Sequence, residues 1–215
     1  RQMMSKKSTK GKPISQKQID KPGKIIFKRK IANIFTGMGF THIPTNGREM
    51  VIGSRKEEID ALFIFENIWL LCEDTIKSCK IRDHIRNKNE AFGEIKRNMS
   101  LFRDKLIALF PDKYDLLIKY DIERIKPYGL YFSREEISLS EGEHKLFSNL
   151  IFVSSKTLNY FQWISQCIRY SAKNEIFRFL GVKDSDIGNS LSSDSVTNIK
   201  APIICPSSFT GLKNN

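Results

Sequence analysis

Four carboxylates bracket one apolar hairpin. In EEIDALFIFENIWLLCEDT, residues 57–75, Glu58 and Asp60 precede the first apolar run, Glu73 and Asp74 follow the second, and Glu66-Asn67 lies between the runs. If Glu66-Asn67 is a two-residue turn, Phe65 opposes Ile68, Leu62 opposes Leu71 and Asp60 opposes Glu73. Alternation then puts Glu58, Asp60, Leu62 and Ile64 on one face with Trp69, Leu71, Glu73 and Thr75, and leaves Asp74 on the other face with Phe63, Leu70 and Cys72. Opposed carboxylates about 5 Å apart at Cβ repel and raise one another's pKa unless a cation lies between them. A hard divalent ion, Mg2+ with Mn2+ as an alternative, binds through one or two carboxylates plus water and phosphate oxygens, so Asp60 and Glu73 are the expected metal ligands. The plainer alternative leaves both acids in water or paired with Arg48, Arg55 or Lys56. Glu58 and Asp74 are expected to face solvent or to support the ligands, and Glu49 to lie on the surface.

The elements that must position these acids follow from periodicity. KIIFKRKIANIFTGMGF spaces Ile26, Phe27, Ile31, Ile34 and Phe35 as one helical stripe, closed by Gly37 and Gly39. THIPTNGREMVIGSR reads as a strand pair or a strand broken at Pro44 and Asn46-Gly47. Both faces of the hairpin are apolar near its turn, which predicts strands covered on each side. Residues 76–110 read as one long amphipathic helix or two in succession, stopped by Pro111. IKPYGLYFS and KLFSNLIFVSS read as strands separated by an acidic loop around Glu141 and Glu143, and TLNYFQWISQCIRYSAKNEIFRFLGV as a helix ending near Gly181. The order predicts an α/β fold, a mixed central β-sheet flanked by helices on both faces.

The charge points to partners. The 215 residues carry 36 Lys and Arg against 24 Asp and Glu, a net +12 with a pI near 9.5, which favours polyanions, nucleic acid above all. Residues 1–24 hold Arg1 and seven lysines against Asp20 alone and read as a basic flexible leader ending at Pro22-Gly23; residues 25–182 read as the domain and 183–215, rich in Ser, Asn and Asp, as a polar linker or the start of a further segment. No apolar run approaches the roughly 20 residues needed to span a bilayer, so no membrane role and a cytoplasmic location are expected. Cys72, Cys79, Cys167 and Cys205 form no CxxC pair, and His42, His84 and His144 are scattered, which argues against zinc.

The hairpin acids and the element order resemble the PD-(D/E)xK nuclease superfamily of restriction-endonuclease-like enzymes. That core runs helix, three strands, helix, strand, with an Asp on one hairpin strand and a Glu-x-Lys on the next. Asp60 and Glu73 match the acids. Thr75 stands where the family's lysine orients the attacking water, so the resemblance implies that Lys77 or Lys80 substitutes for it or that cleavage is lost. It covers about residues 25–110, extending to 155 if the later strands are included. A fainter similarity links LNYFQWISQCIRYSAKNEIFRFLGV and the following IKAPIICPSS to the lead-in of proteins with a DGQHR-type domain, found near DNA-modification and phage-defence systems; the DGQHR motif itself is absent.

The expected function is Mg2+-assisted phosphodiester hydrolysis on nucleic acid, double-stranded DNA by preference, with Asp60, Glu73, Thr75 and Lys77 at the reacting centre and Lys77, Lys80, Arg82, Arg86 and Lys88 on the phosphates. The alternatives are an inactive nuclease-fold module that binds DNA or docks a partner protein, and a basic interaction module of other ancestry. A homodimer or a larger multidomain assembly fits each. The aromatic residues of YFQWISQCIRY are expected in the core, with base stacking as the minor alternative.

Overall fold

The computed structural model describes residues 16–46, 48–53, 55–75 and 81–188. Lys77 and Lys80 therefore lie outside the described residues, as do residues 1–15 and 189–215. The first helix, α1 (Gln16–Gly37), starts ahead of Pro22-Gly23 and so takes in part of the segment read as a leader. Of its predicted stripe, Phe27, Ile31, Ile34 and Phe35 are buried, as the spacing requires, and Ile26 is exposed. Strand β1 (Thr41–Ile43) follows, and then β2 (Glu49–Ile52) and β3 (Arg55–Glu58), which pair only with each other.

The hairpin forms with the predicted register. Strands β4 (Ala61–Phe65) and β5 (Ile68–Thr75) are antiparallel, with Phe65 opposite Ile68 and Leu62 opposite Leu71. Glu66 takes the left-handed conformation at φ 52, which a two-residue turn between twisted strands demands. Residues 81–109 divide into α2 (Ile81–Arg97) and α3 (Met99–Leu109), and a short α4 (Tyr114–Ile118) precedes β6 (Lys126–Ser133). β6 runs parallel to β5, and β7 (Leu150–Val153) parallel to β6. The result is a mixed five-stranded sheet in the order β1-β4-β5-β6-β7 within an α/β chain.

The core separates by strand alternation. Phe63, Leu70, Cys72 and Phe132 cluster with Phe35 of α1 and with the last two helices, α6 (Ser155–Ile168) and α7 (Lys173–Leu180); Leu62, Ile64, Trp69, Leu71 and Tyr131 cluster with Phe92 of α2, Phe102 of α3 and Leu117 of α4. Each fully buried side chain of this size contributes about 1.5–3 kcal/mol, so each cluster is a large share of what holds the fold together.

Two predicted elements differ. The acidic loop contains a helix, α5 (Glu141–Leu146), nucleated by a capping box in which Ser140 and Glu143 satisfy each other's backbone N–H groups. The final helix is two, because Arg169 turns to φ 47 after Ile168; Gly181 then caps α7 in the left-handed conformation. Among the described residues no helix is long and apolar enough to cross a membrane, and Cys72 and Cys167 are free thiols.

Candidate functional site

At the hairpin end away from its turn, β5 delivers Glu73, Asp74 and Thr75 in succession, all buried. Glu73 opposes Tyr131 of β6 and points with it toward α2. There His84 and Lys88 sit one helical turn apart, a spacing that puts both on the same face. His84 Nε2 is 3.4 Å from Glu73 Oε1 and Lys88 Nζ is 3.0 Å from Oε2. The ring of His84 is fixed from its other side, with Nδ1 2.7 Å from the Tyr131 hydroxyl, and Tyr131 also meets the Thr75 hydroxyl. Lys88 donates to the Glu58 carbonyl at 2.8 Å. These contacts make one chain, Thr75–Tyr131–His84–Glu73–Lys88. Burial pushes the Glu73 carboxyl above its usual value, and the nearby Asp60 charge adds to that against the pull of His84 and Lys88. Burial and the Glu73 and Asp74 charges push the Tyr131 phenol far up against the pull of the Thr75 bond, so it stays neutral.

Asp60 does not follow the alternation that places Leu62 and Ile64. It stands at a bend ahead of β4, its backbone held by bonds from its N–H to Cys72 and from Asn46 to its carbonyl. Outside the strand the period of two no longer fixes a side chain's face, and the Asp60 carboxylate turns to Asp74, whose backbone N–H donates to Oδ2 at 3.0 Å. Lys28 of α1 hydrogen-bonds Asp60 and lies 3.4 Å from Asp74 Oδ2. Lys24, one turn earlier, approaches Asp60 to 3.9 Å.

Two carboxylates sharing one close ammonium titrate apart. Burial opposes ionisation of both. For Asp60 the hydrogen bonds from Lys28 and the Asp74 backbone outweigh burial and hold the carboxyl below its ordinary value. For Asp74 burial and the Asp60 charge win, and it is pushed up to about 7. Lys28 loses some basicity to burial but regains more from Asp60 and Asp74, so it stays charged. Burial, reinforced by the same acids, pushes the Cys72 thiol well up, which removes it as a nucleophile at neutral pH. A cavity of about 50 Å³ opens among Lys28, His42, Asn46, Asp60 and Asp74. Two carboxylate oxygens are buried without a hydrogen-bond donor, Asp74 Oδ1 and Glu73 Oε2, the latter meeting Lys88 as an ion pair only.

The expected residues are thus partly assembled. Asp60, Glu73 and Thr75 gather at one end of the hairpin, but Asp60 meets Asp74 and Lys28 directly and Glu73 through its charge. Among the described residues no group of three or more His, Cys, Asp or Glu side chains is placed to hold a metal ion. Lys88, expected on the phosphates, pairs with Glu73 at 3.0 Å. Arg82 pairs with Glu143 and Arg86 with Asp83 instead of standing free. Glu58 is exposed as expected, and Glu49 pairs with Lys56. Asp74 takes the second of its two expected places, buried beside Asp60 and not in solvent; Lys24, Lys28, His84 and Tyr131 were not anticipated. The four-residue spacing of Lys24 with Lys28, and of His84 with Lys88, was the available signal.

Compared with protein-family models, curated proteins and solved structures, the chain finds no match.

Proposed function

We propose that the chain is a nuclease-like domain of the PD-(D/E)xK kind that acts on nucleic-acid phosphodiesters with Mg2+. The order of α1, antiparallel β1-β4-β5, α2 and parallel β6 supports a restriction-endonuclease-like core. The observation that carries activity is Lys88. Thr75 takes the position of the family's lysine, and Lys88 of α2 brings an ammonium to 3.0 Å from Glu73 on a side chain only 14% exposed.

The donor set suits Mg2+. Such an ion needs only one or two carboxylates beside water and phosphate, and Asp74 Oδ1 is a buried carboxylate oxygen without a hydrogen-bond donor. The cavity beside Asp60 and Asp74 also exceeds the roughly 10–15 Å³ that one water requires. Asp60 with Glu73 or Asp74 would hold the ion. When bound, Mg2+ supplies charge neutralisation at the phosphate and acidifies water. Lys88 orients the attacking water and balances charge developing on the phosphate. His84, held by Tyr131, fixes the Glu73 carboxylate so that its second oxygen stays toward Lys88.

A second reading, an inactive fold that binds nucleic acid, is favoured by Lys28: its ammonium already balances Asp60 and Asp74, as a metal would. Plasmid cleavage separates the two. The wild type should nick or cut DNA in Mg2+, and Lys88→Met and Glu73→Gln should not. Mg2+ should also raise the wild-type melting temperature, since a ligand at a hundredfold excess over Kd adds about 2.7 kcal/mol, and Asp60→Asn should lose that rise. No cleavage and no Mg2+-dependent rise, with millimolar metal and DNA present, leaves the binding-only reading.

A further inference from the structure

The core-facing stripe of α6 is Leu158, Phe161 and Ile164. The helix therefore turns Tyr160 and Trp163 outward, 47% and 62% exposed, with ring centroids 6.5 Å apart and planes tilted by only 32°. Large aromatic side chains left in water as neighbours mark a surface that a partner covers. The charge on the α1 flank of the same helix says what kind of partner. An open groove of about 480 Å³ runs between α6 and α1, with Arg29, Lys30 and Asn33 on one wall and Gln162, Ser165 and Gln166 on the other. Among the described residues no carboxylate lines it. Lys30 is tethered across it to Asn159 at 2.6 Å, and among the described residues Arg29 has no acidic partner. Glu175, the acid near Tyr160, is shared with Arg178 at 3.4 Å.

We propose that this face is a track for single-stranded nucleic acid, with phosphates on Arg29 and Lys30, sugar and base edges on the amides and hydroxyl of α6, and unpaired bases stacked on Trp163 and Tyr160. Cations and amides suit a phosphate backbone, and an aromatic face accepts any base that is not already stacked in a duplex. The same helix α1 carries Lys28 to Asp60, so a strand in the groove lies along the element that walls the acidic site. The proposal rests on the nucleic-acid reading above for the class of ligand, and on none of its metal chemistry.

The chain supplies its own probe, because its two tryptophans are Trp69, buried, and Trp163. Titration with a short oligothymidylate at low salt should quench the Trp163 emission. Trp163→Leu should weaken binding, measured with a labelled oligonucleotide, by roughly 5- to 150-fold, the equivalent of about 1–3 kcal/mol for one stacked base. Arg29→Glu should weaken it and flatten its salt dependence. Both side chains are on the surface, and an unchanged circular dichroism melt confirms that each variant folds. Asp60→Asn should keep the quench whether or not the wild type cleaves DNA, which separates this proposal from the nuclease reading. Emission unmoved by any oligonucleotide, or affinity unchanged by Trp163→Leu, overturns it. Self-association abolished by Trp163→Leu, without quenching, overturns it in favour of protein docking.

Discussion

Asp60 and Glu66 sit at opposite ends of β4, and each is a carboxylate held by a lysine. At Asp60 the outcome is chemical potential, because Asp74 competes for the same ammonium. At Glu66 it is plain stability. Lys119 donates to Glu66 Oε2 at 2.6 Å and Tyr120 donates to the same oxygen. Burial raises the Glu66 carboxyl, but these two donors outweigh it and hold the value below the ordinary 4.5; burial and the Glu66 bond push the Tyr120 phenol up to about 12. A carboxyl depressed on folding stabilises the fold when ionised. That contribution is complete above pH 4.5 and is lost as pH falls through the lower folded value. Glu66→Gln should therefore melt below wild type at pH 7, by no more than about 1 kcal/mol for a pair this exposed, and the two should converge in acid. A gap that persists unchanged at pH 3 would mean that the turn conformation, and not the charge, is responsible.

Among the elements, β6 lets the Phe92 ring of α2 lie directly against its backbone, and a glycine makes this possible. A Cβ on Gly129 would collide with the Phe92 ring and would stand 2.5 Å from the Asn149 carbonyl. The ring can turn, but the carbonyl belongs to the chain entering β7 and cannot. Gly129→Ala should thus cost about 3 kcal/mol or more in chemical denaturation, at the upper end for overpacking, and should displace α2 with His84 and Lys88. The hairpin register was legible in the sequence because alternation and a two-residue turn are local signals. The direction of Asp60 was not, since a bend at that residue cancels alternation. The burial of Asp74 was equally hidden: it depends on α1 packing across the sheet, a contact between residues far apart in the chain. The capping box of α5 was readable as Ser140 and Glu143, and went unread amid the acidic loop. On α6, aromatic residues on both sides of the helix concealed which stripe faces the core. Leu158, Phe161 and Ile164 took it, and Trp163 was left outside.

Across the whole molecule the +12 charge is unevenly available. Arg82, Arg86, Arg97, Lys119, Lys145, Lys156 and Arg178 each lie within ion-pair distance of an acid, and a paired base gives up part of its pull on phosphate. The segment 1–15 is different in sequence alone, with Arg1, Lys6, Lys7, Lys10 and Lys12 and no acid. Each phosphate neutralised on duplex DNA releases counterions and adds about 0.9 to the slope of log affinity against log salt. If six or more contacts form, affinity for duplex DNA should fall by about 10³-fold or more between 50 and 200 mM salt, with little dependence on base sequence. Deleting residues 1–15 should reduce that slope by about 0.9 for every contact the segment makes. Arg82→Ala with Arg86→Ala should barely change it, because each of these bases already answers an acid. Filter binding across a salt series reads all three slopes. A deletion that leaves the slope intact, beside a double substitution that lowers it, would move the duplex contact from the N-terminal segment to α2.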